Sequence, residues 1–115
     1  MNAWLSLVLL AAPQDGLEKI EALERRLREA VEAVRPAYVF FGNGSGVCIS
    51  PDGWVLTNFH VSGPRSGQRV RLSGGKAYIA DLVGFDPLGD VSLCKLREAK
   101  DLPFCSLGDS DRLDV

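Results

Sequence analysis

The chain contains a single histidine, His60, within the segment LTNFHV. The apolar residues Trp54, Val55 and Leu56 lead up to it, so the sequence predicts that His60 lies at the end of a strand. Imidazole accepts and returns protons near neutral pH, which makes His60 a candidate general base. A general base of this kind works together with a nucleophile and with a carboxylate that orients the ring.

Two candidate carboxylates lie in the segment GFDPLGDVSLCKL, residues 84–96. Asp86 precedes a proline and is typical of a turn. Asp90 stands directly before the predicted strand Val91–Leu96, where its side chain could face a histidine at the end of another strand. There it would accept from one imidazole nitrogen, fix the tautomer and stabilise the imidazolium. The simpler alternative is a structural or surface histidine beside an aspartate that caps a strand.

Short apolar segments separated by glycine and proline turns make up the chain after Pro36. The residues of hairpin turns occur at 50–53, Ser-Pro-Asp-Gly, and at the pair Gly74-Gly75. This spacing predicts a mainly β domain, an antiparallel barrel or sandwich. The predicted strands are Tyr38–Phe41, Val47–Ile49, Trp54–Leu56, Val70–Leu72, Ala77–Val83, Val91–Leu96 and Phe104–Leu107.

An amphipathic helix over residues 15–35 is predicted ahead of the strands. Asp15 opens a capping box and Pro36 ends the helix. The stripe fits either a helix that packs on its own domain or one that joins copies into a homo-oligomer, and its short length favours the first. Its apolar residues recur every three or four positions: Leu17, Ile20, Leu23, Leu27, Ala30, Val31 and Val34.

Residues 1–12 are typical of the apolar core of a secretory signal. They are too short for an integral membrane span, which needs about 20 apolar residues. No lysine or arginine precedes the apolar run and Pro13 follows it, so a buried apolar N-terminus is the alternative. We therefore expect export to the periplasm or the extracellular space, with membrane association through the N-terminus left open.

The composition argues against two classes of function. The formal net charge is −2, so no basic excess points to a nucleic-acid partner. The three cysteines, Cys48, Cys94 and Cys105, form no C-x-x-C pair and with one histidine make a poor zinc set. Their apolar neighbours favour buried thiols, with one disulfide and a leftover thiol as the alternative.

Three segments together resemble the trypsin-like serine proteases of the HtrA/Deg type: residues 44–61, 80–96 and 102–115. The resemblance implies two antiparallel six-stranded barrels with the active site in the cleft between them, and residues 38–115 match the first barrel. It implies that His60 is the general base and Asp90 the orienting aspartate. It further implies protein or peptide substrates, often unfolded, and neither a metal nor an organic cofactor.

The nucleophile of this family stands in Gly-x-Ser-Gly-Gly within the second barrel. Residues 42–46 and 108–110 imitate that motif, but the first lies before His60 and the second lacks the two following glycines. We therefore predict the N-terminal part of a longer endopeptidase, or a truncated gene product, inactive by itself. A Gly-x-Ser-Gly-Gly is expected within roughly 60–110 residues of Val115. A pseudoprotease barrel that binds peptides or partners is the alternative.

Overall fold

The computed structural model describes residues 14–114. The chain divides into two compact units, Met1–Glu32 and Ala33–Val115. The predicted signal segment, residues 1–12, lies outside the described residues.

Helix α1 spans Gln14–Val34, within one residue of the predicted range at either end. Pro36 lies in a 3-10 turn, Arg35–Ala37, which follows the helix because proline cannot donate to a continuing helical ladder. Asp15 lies in the first turn and not before it, so the predicted capping position was wrong. Among residues 14–114, no helix combines the length and the apolar character needed to cross a membrane.

Six antiparallel strands close into a barrel in the order β1-β2-β3-β6-β5-β4. This confirms the predicted six-stranded antiparallel barrel that an amphipathic helix precedes. Pairing of β1 with β4 closes the ring, so the sheet has no free edge. The strands are β1 Tyr38–Phe40, β2 Ser45–Cys48, β3 Trp54–Thr57, β4 Gln68–Leu72, β5 Ala77–Asp86 and β6 Val91–Leu96.

The segment Phe104–Leu107 is not a strand, so this prediction was wrong. Cys105 donates its backbone N–H to the Cys48 carbonyl at 2.9 Å, but no ladder follows. The physical reason is the closure of the barrel, because a ring of six strands leaves no edge for a seventh.

Both predicted hairpin turns are present, and each has a glycine at positive φ. Gly53 has φ +91° and donates to the Ser50 carbonyl at 3.2 Å. Gly75 has φ +92° and donates to the Leu72 carbonyl at 2.8 Å. Residues with a side chain rarely adopt a φ near +90°, so these turns depend on glycine.

The core fills the inside of the barrel with alternate residues of the strands, and Leu96 and Val55 are fully buried. Cys48 and Cys94 belong to this core, and Cys105 packs against it half-buried. All three thiols are free, so the disulfide alternative is excluded for this structure. Burial raises the pKa of Cys48 and Cys94, as expected for inert thiols in an apolar core.

Gly46 lies in β2 where neighbouring chains approach closely. A Cβ atom there would lie 2.8 Å from the carbonyl oxygen of Leu56 and 2.9 Å from the Phe41 ring. We expect Gly46→Ala to lower the free energy of unfolding by about 1–3 kcal/mol, because strand backbone cannot move aside cheaply. Urea denaturation measures this, with Gly74→Ala as the control, since a Cβ at Gly74 meets nothing within 4 Å. Equal destabilisation by the two substitutions would contradict the packing argument.

Candidate functional site

His60 lies in a one-turn helix, α2, which spans Phe59–Ser62 directly after β3. The prediction had placed it at a strand end, but the chain turns after Thr57. The helix forms because the Asn58 carbonyl accepts from the N–H groups of Val61 and Ser62, each at 3.1 Å. The turn leaves the His60 side chain 71% exposed.

Helix α2 is held from both sides by groups that the sequence did not reveal. Val61 is buried and faces Gly44, where a Cβ would lie 2.4 Å from a Val61 methyl group. The Asn43 amide donates to the Val61 carbonyl at 3.2 Å. The Gln68 amide donates to the Ser62 carbonyl at 2.6 Å. Gly44 of the segment 42–46 thus serves close packing.

Asp90 lies in the turn between β5 and β6, with its backbone at φ +55°. The Asn58 side-chain amide donates to the Asp90 carbonyl at 3.0 Å. Asp86 plays a different part, since its Oδ1 accepts from the Leu88 N–H at 3.0 Å. The structure thus distinguishes the two candidate carboxylates: Asp86 forms a turn, as predicted, and Asp90 faces helix α2.

Asp90 holds His60 by two hydrogen bonds at once. The His60 backbone N–H donates to Asp90 Oδ1 at 2.8 Å, and His60 Nδ1 lies 2.6 Å from Oδ2. The pKa of Asp90 is held below its ordinary value. The largest cause is the bond from the His60 backbone N–H, and the next is the bond to the His60 ring. An ionised carboxylate only accepts, so the ring proton of neutral His60 belongs on Nδ1 and the lone pair on Nε2.

A buried pair of serines joins the two elements behind this contact. Ser62 Oγ donates to Ser92 Oγ at 2.8 Å, and both residues are fully buried. Each serine follows its site residue by two positions, so the bond ties α2 to β6. The sequence held one signal for this pair: Ser92 occupies the same strand face as the buried residues Cys94 and Leu96.

The acid stability of the barrel should depend on Asp90. Its pKa is lowered in the folded chain, so its bonds stabilise the fold above the unfolded pKa of about 3.9, and this stability is lost as pH falls through the folded pKa. The urea midpoint of the wild type should therefore lie above that of Asp90→Asn at about pH 7. At about pH 3 this difference between the two proteins should be smaller. Asp86→Asn should keep the pH-dependent part of the stability, because Asp86 makes no bond to His60. A difference independent of pH would contradict the assignment.

The two serines in the segments that imitate a nucleophile motif, Ser45 and Ser110, each begin an element of secondary structure. Ser45 begins β2, and its carbonyl accepts from Thr57 Oγ1 at 2.8 Å. Ser110 begins a 3-10 turn in which Asp109 Oδ1 accepts from the Asp111 N–H at 3.1 Å. Within residues 14–114, no serine hydroxyl bonds to the His60 ring. The same residues contain no cluster of three or more side chains suited to a metal ion.

The family model described as the trypsin-like peptidase domain matches residues 44–115. Three curated relatives with the name probable periplasmic serine endoprotease DegP-like are similar to the chain. The protein of Marinomonas sp. (strain MWYL1) is 51% identical over 70 residues, which cover 61% of this chain and 15% of the relative. That of Chlamydia muridarum (strain MoPn / Nigg) is 38% identical over 84 residues, 73% of this chain and 17% of the relative.

The third relative, from Ectopseudomonas mendocina (strain ymp), is 41% identical over 113 residues. This match covers 90% of the chain and 24% of the relative. The chain therefore spans less than a quarter of the length of each of these proteins. On the matched domain, the shared barrel and the similarity to DegP-like proteins, the chain belongs to the trypsin-like serine proteases of the HtrA/Deg type and corresponds to the N-terminal part of such a protease.

Proposed function

We propose that the chain contributes the general base and the orienting carboxylate of a serine endopeptidase. His60 is the base and Asp90 the carboxylate. The observation that carries this proposal is the double hydrogen bond of Asp90, 2.8 Å to the His60 N–H and 2.6 Å to the ring. A binding barrel without catalysis has no need of a histidine whose tautomer and orientation are both set.

The proposed reaction uses the exposed side of the His60 ring. A serine hydroxyl supplied by a segment beyond these 115 residues gives its proton to Nε2 as its oxygen attacks the substrate carbonyl. Asp90 stabilises the imidazolium, which then protonates the departing amine. Water hydrolyses the acyl-enzyme with Nε2 again as the proton acceptor, and the serine is regenerated.

Exposed apolar side chains near His60 and Asp90 support the proposal that another part of the protein forms the opposite side of an active-site cleft. Phe85 is 52% exposed and Val91 47% exposed, although both lie in strands that adjoin Asp90. The Phe85 ring stacks on Phe59 with a centroid distance of 5.1 Å, next to His60. The stacked, partly exposed rings of Phe85 and Phe59 offer apolar surface on which another part of the protein or a ligand could pack. We assign it to the second barrel that the family implies.

The names of the relatives guide the choice of substrate and compartment. They are described as periplasmic endoproteases, so we propose that the chain is exported and that its substrates are proteins. An extended or unfolded substrate suits an open cleft, since folded chains rarely present a scissile bond to a base. Assembly into a homo-oligomer and membrane association through the N-terminus stay predictions.

Labelling with a fluorophosphonate, which reacts with activated serines, tests the proposal. We expect the native protein that contains this segment to be labelled at one serine beyond position 115, and to hydrolyse an unfolded protein. The 115-residue chain alone should stay unlabelled, because no described serine bonds to His60. Stoichiometric labelling at Ser45 or Ser110 would contradict the assignment. A native protein that is neither labelled nor active would favour the binding barrel.

A further inference from the structure

The contacts of Asn58 point to a role that its position in the sequence does not announce. We propose that Asn58 is a positioning residue, which holds Asp90 in the one backbone conformation from which the carboxylate reaches both the N–H and the ring of His60. This inference deepens the proposed function of the His60–Asp90 pair and rests on it.

The backbone of Asp90 needs an external constraint. Its φ of +55° lies in the left-handed region, which residues with a side chain occupy rarely and only where their surroundings hold them. The direction of the Asp90 carbonyl depends on the ψ angle of that residue, the rotation about its Cα–C bond. The Asn58 amide, 3.0 Å from that carbonyl oxygen, therefore fixes the conformation from which the Asp90 side chain points at α2.

Asn58 and Asp90 exchange hydrogen-bond partners where the end of β3 meets the start of the neighbouring strand β6. Asn58 stands at the N-cap of α2, where an asparagine side chain ordinarily accepts from an N–H of the first helical turn. It makes no such bond. The N–H of His60, which that side chain would serve, instead donates to Asp90 Oδ1 at 2.8 Å. Asp90 thus caps the helix of Asn58, and Asn58 is left to secure the backbone of Asp90.

Other contacts keep the fold together when Asn58 is changed. The buried bond from Ser62 to Ser92 and the buried side chain of Val61 anchor α2 without Asn58. The loss of the Asn58 amide should therefore release the peptide of Asp90 and leave the barrel intact. We expect the Asp90 carboxylate to move away from His60 Nδ1. The substitution should therefore weaken the hold on the ring proton and slow catalysis.

The 115-residue chain is itself suited to the test, since His60 is its only histidine and gives the only histidine ring signals in a ¹⁵N spectrum. In Asn58→Ala we expect the protection of the His60 Nδ1 proton against solvent exchange to fall about fivefold, the size of one net hydrogen bond. The carboxyl pKa of Asp90, read from its ¹³C signal, should rise towards its ordinary value. Dispersed amide signals show whether the variant is folded.

Two further variants make the result specific. Asn58→Ser keeps a residue that favours the N-cap but is too short to repeat the amide contact, so it should show the same losses even if Asn58→Ala unfolds. Asn43→Ala removes a similar amide-to-carbonyl bond, 3.2 Å long, that ends on Val61 instead of Asp90. Its effect on the Nδ1 proton should stay within about twofold. Wild-type protection in a folded Asn58→Ser, or equal losses in Asn43→Ala, would overturn the proposal.

Kinetics of the native protein provide an independent readout. Asn58→Ala should lower kcat about fivefold with KM unchanged, since it alters the base and not the substrate contacts. A rise in KM at constant kcat would count against positioning. Because the spectra are recorded without substrate, they decide the role of Asn58 even if the native protein proves to have no peptidase activity.

Discussion

Replacing His60 by alanine should lower kcat of the native protein by roughly 10⁶, the loss found when a serine protease loses its base. The chain offers no substitute, since it contains no second histidine. The substitution should leave the barrel folded, because the side chain is 71% exposed and, among residues 14–114, its ring bonds only to Asp90. Steady-state hydrolysis of an unfolded protein, compared with the thermal transition of the variant, measures both quantities.

Leu88, in the turn that contains Asp90, provides the control substitution. It is fully exposed and makes its backbone contact with Asp86, so Leu88→Ala should keep wild-type kcat. If His60→Ala retained more than about a hundredth of the activity, another group would have to be the base and the proposed function would fail.

Asp90→Asn should lower kcat by about 10⁴, the size of the loss when the ring of such a histidine adopts the wrong tautomer. Asp90 Oδ2, 2.6 Å from His60 Nδ1, keeps the ring proton on that nitrogen. An asparagine side chain offers an N–H donor as well as an acceptor, and the donor would place the proton on Nε2, where the serine proton has to go. KM should change little, because in the proposed mechanism Asp90 acts on the His60 ring and not on the substrate.

Asp86→Asn is the matched control for this second prediction. Asp86 and Asp90 are four residues apart, but Asp86 bonds to the Leu88 N–H and not to His60. Its replacement should therefore cost far less than about tenfold in kcat. Similar losses for the two variants would show that the turn as a whole, and not the contact of Asp90 with the ring, supports activity.

The barrel could be foreseen because its signals are local. Residues such as Val55 and Leu96 alternate with exposed or half-buried neighbours, and glycines stand where the turns need positive φ. The failed strand at 104–107 marks the limit of this reasoning. Its residues are as apolar as those of a true strand, but only the closed pairing of β1 with β4 shows that no edge remains for it.

The site residues were singled out by a different kind of information. His60 was notable as the only histidine and Asp90 by its place before a strand, so their pairing was one of two alternatives on the residues alone, and the resemblance to a family favoured it. Asn58 carried no functional signal, although it is an N-cap residue two positions before the histidine. Its bond ends on a carbonyl 32 positions further along the chain, and that separation is invisible to any local pattern.

By itself, the sequence determined the helix, most of the strands, the glycine turns and the identity of the two candidate site residues. These depend on side-chain periodicity and on the backbone preferences of single residues, which are written in a few neighbouring positions. Only the tertiary structure decided that His60 lies in a short helix, that Asp90 holds both its N–H and its ring, and that Ser62 and Ser92 lock the two elements together. Those bonds join residues about thirty positions apart, and the closed order of the strands alone brings them within 3 Å.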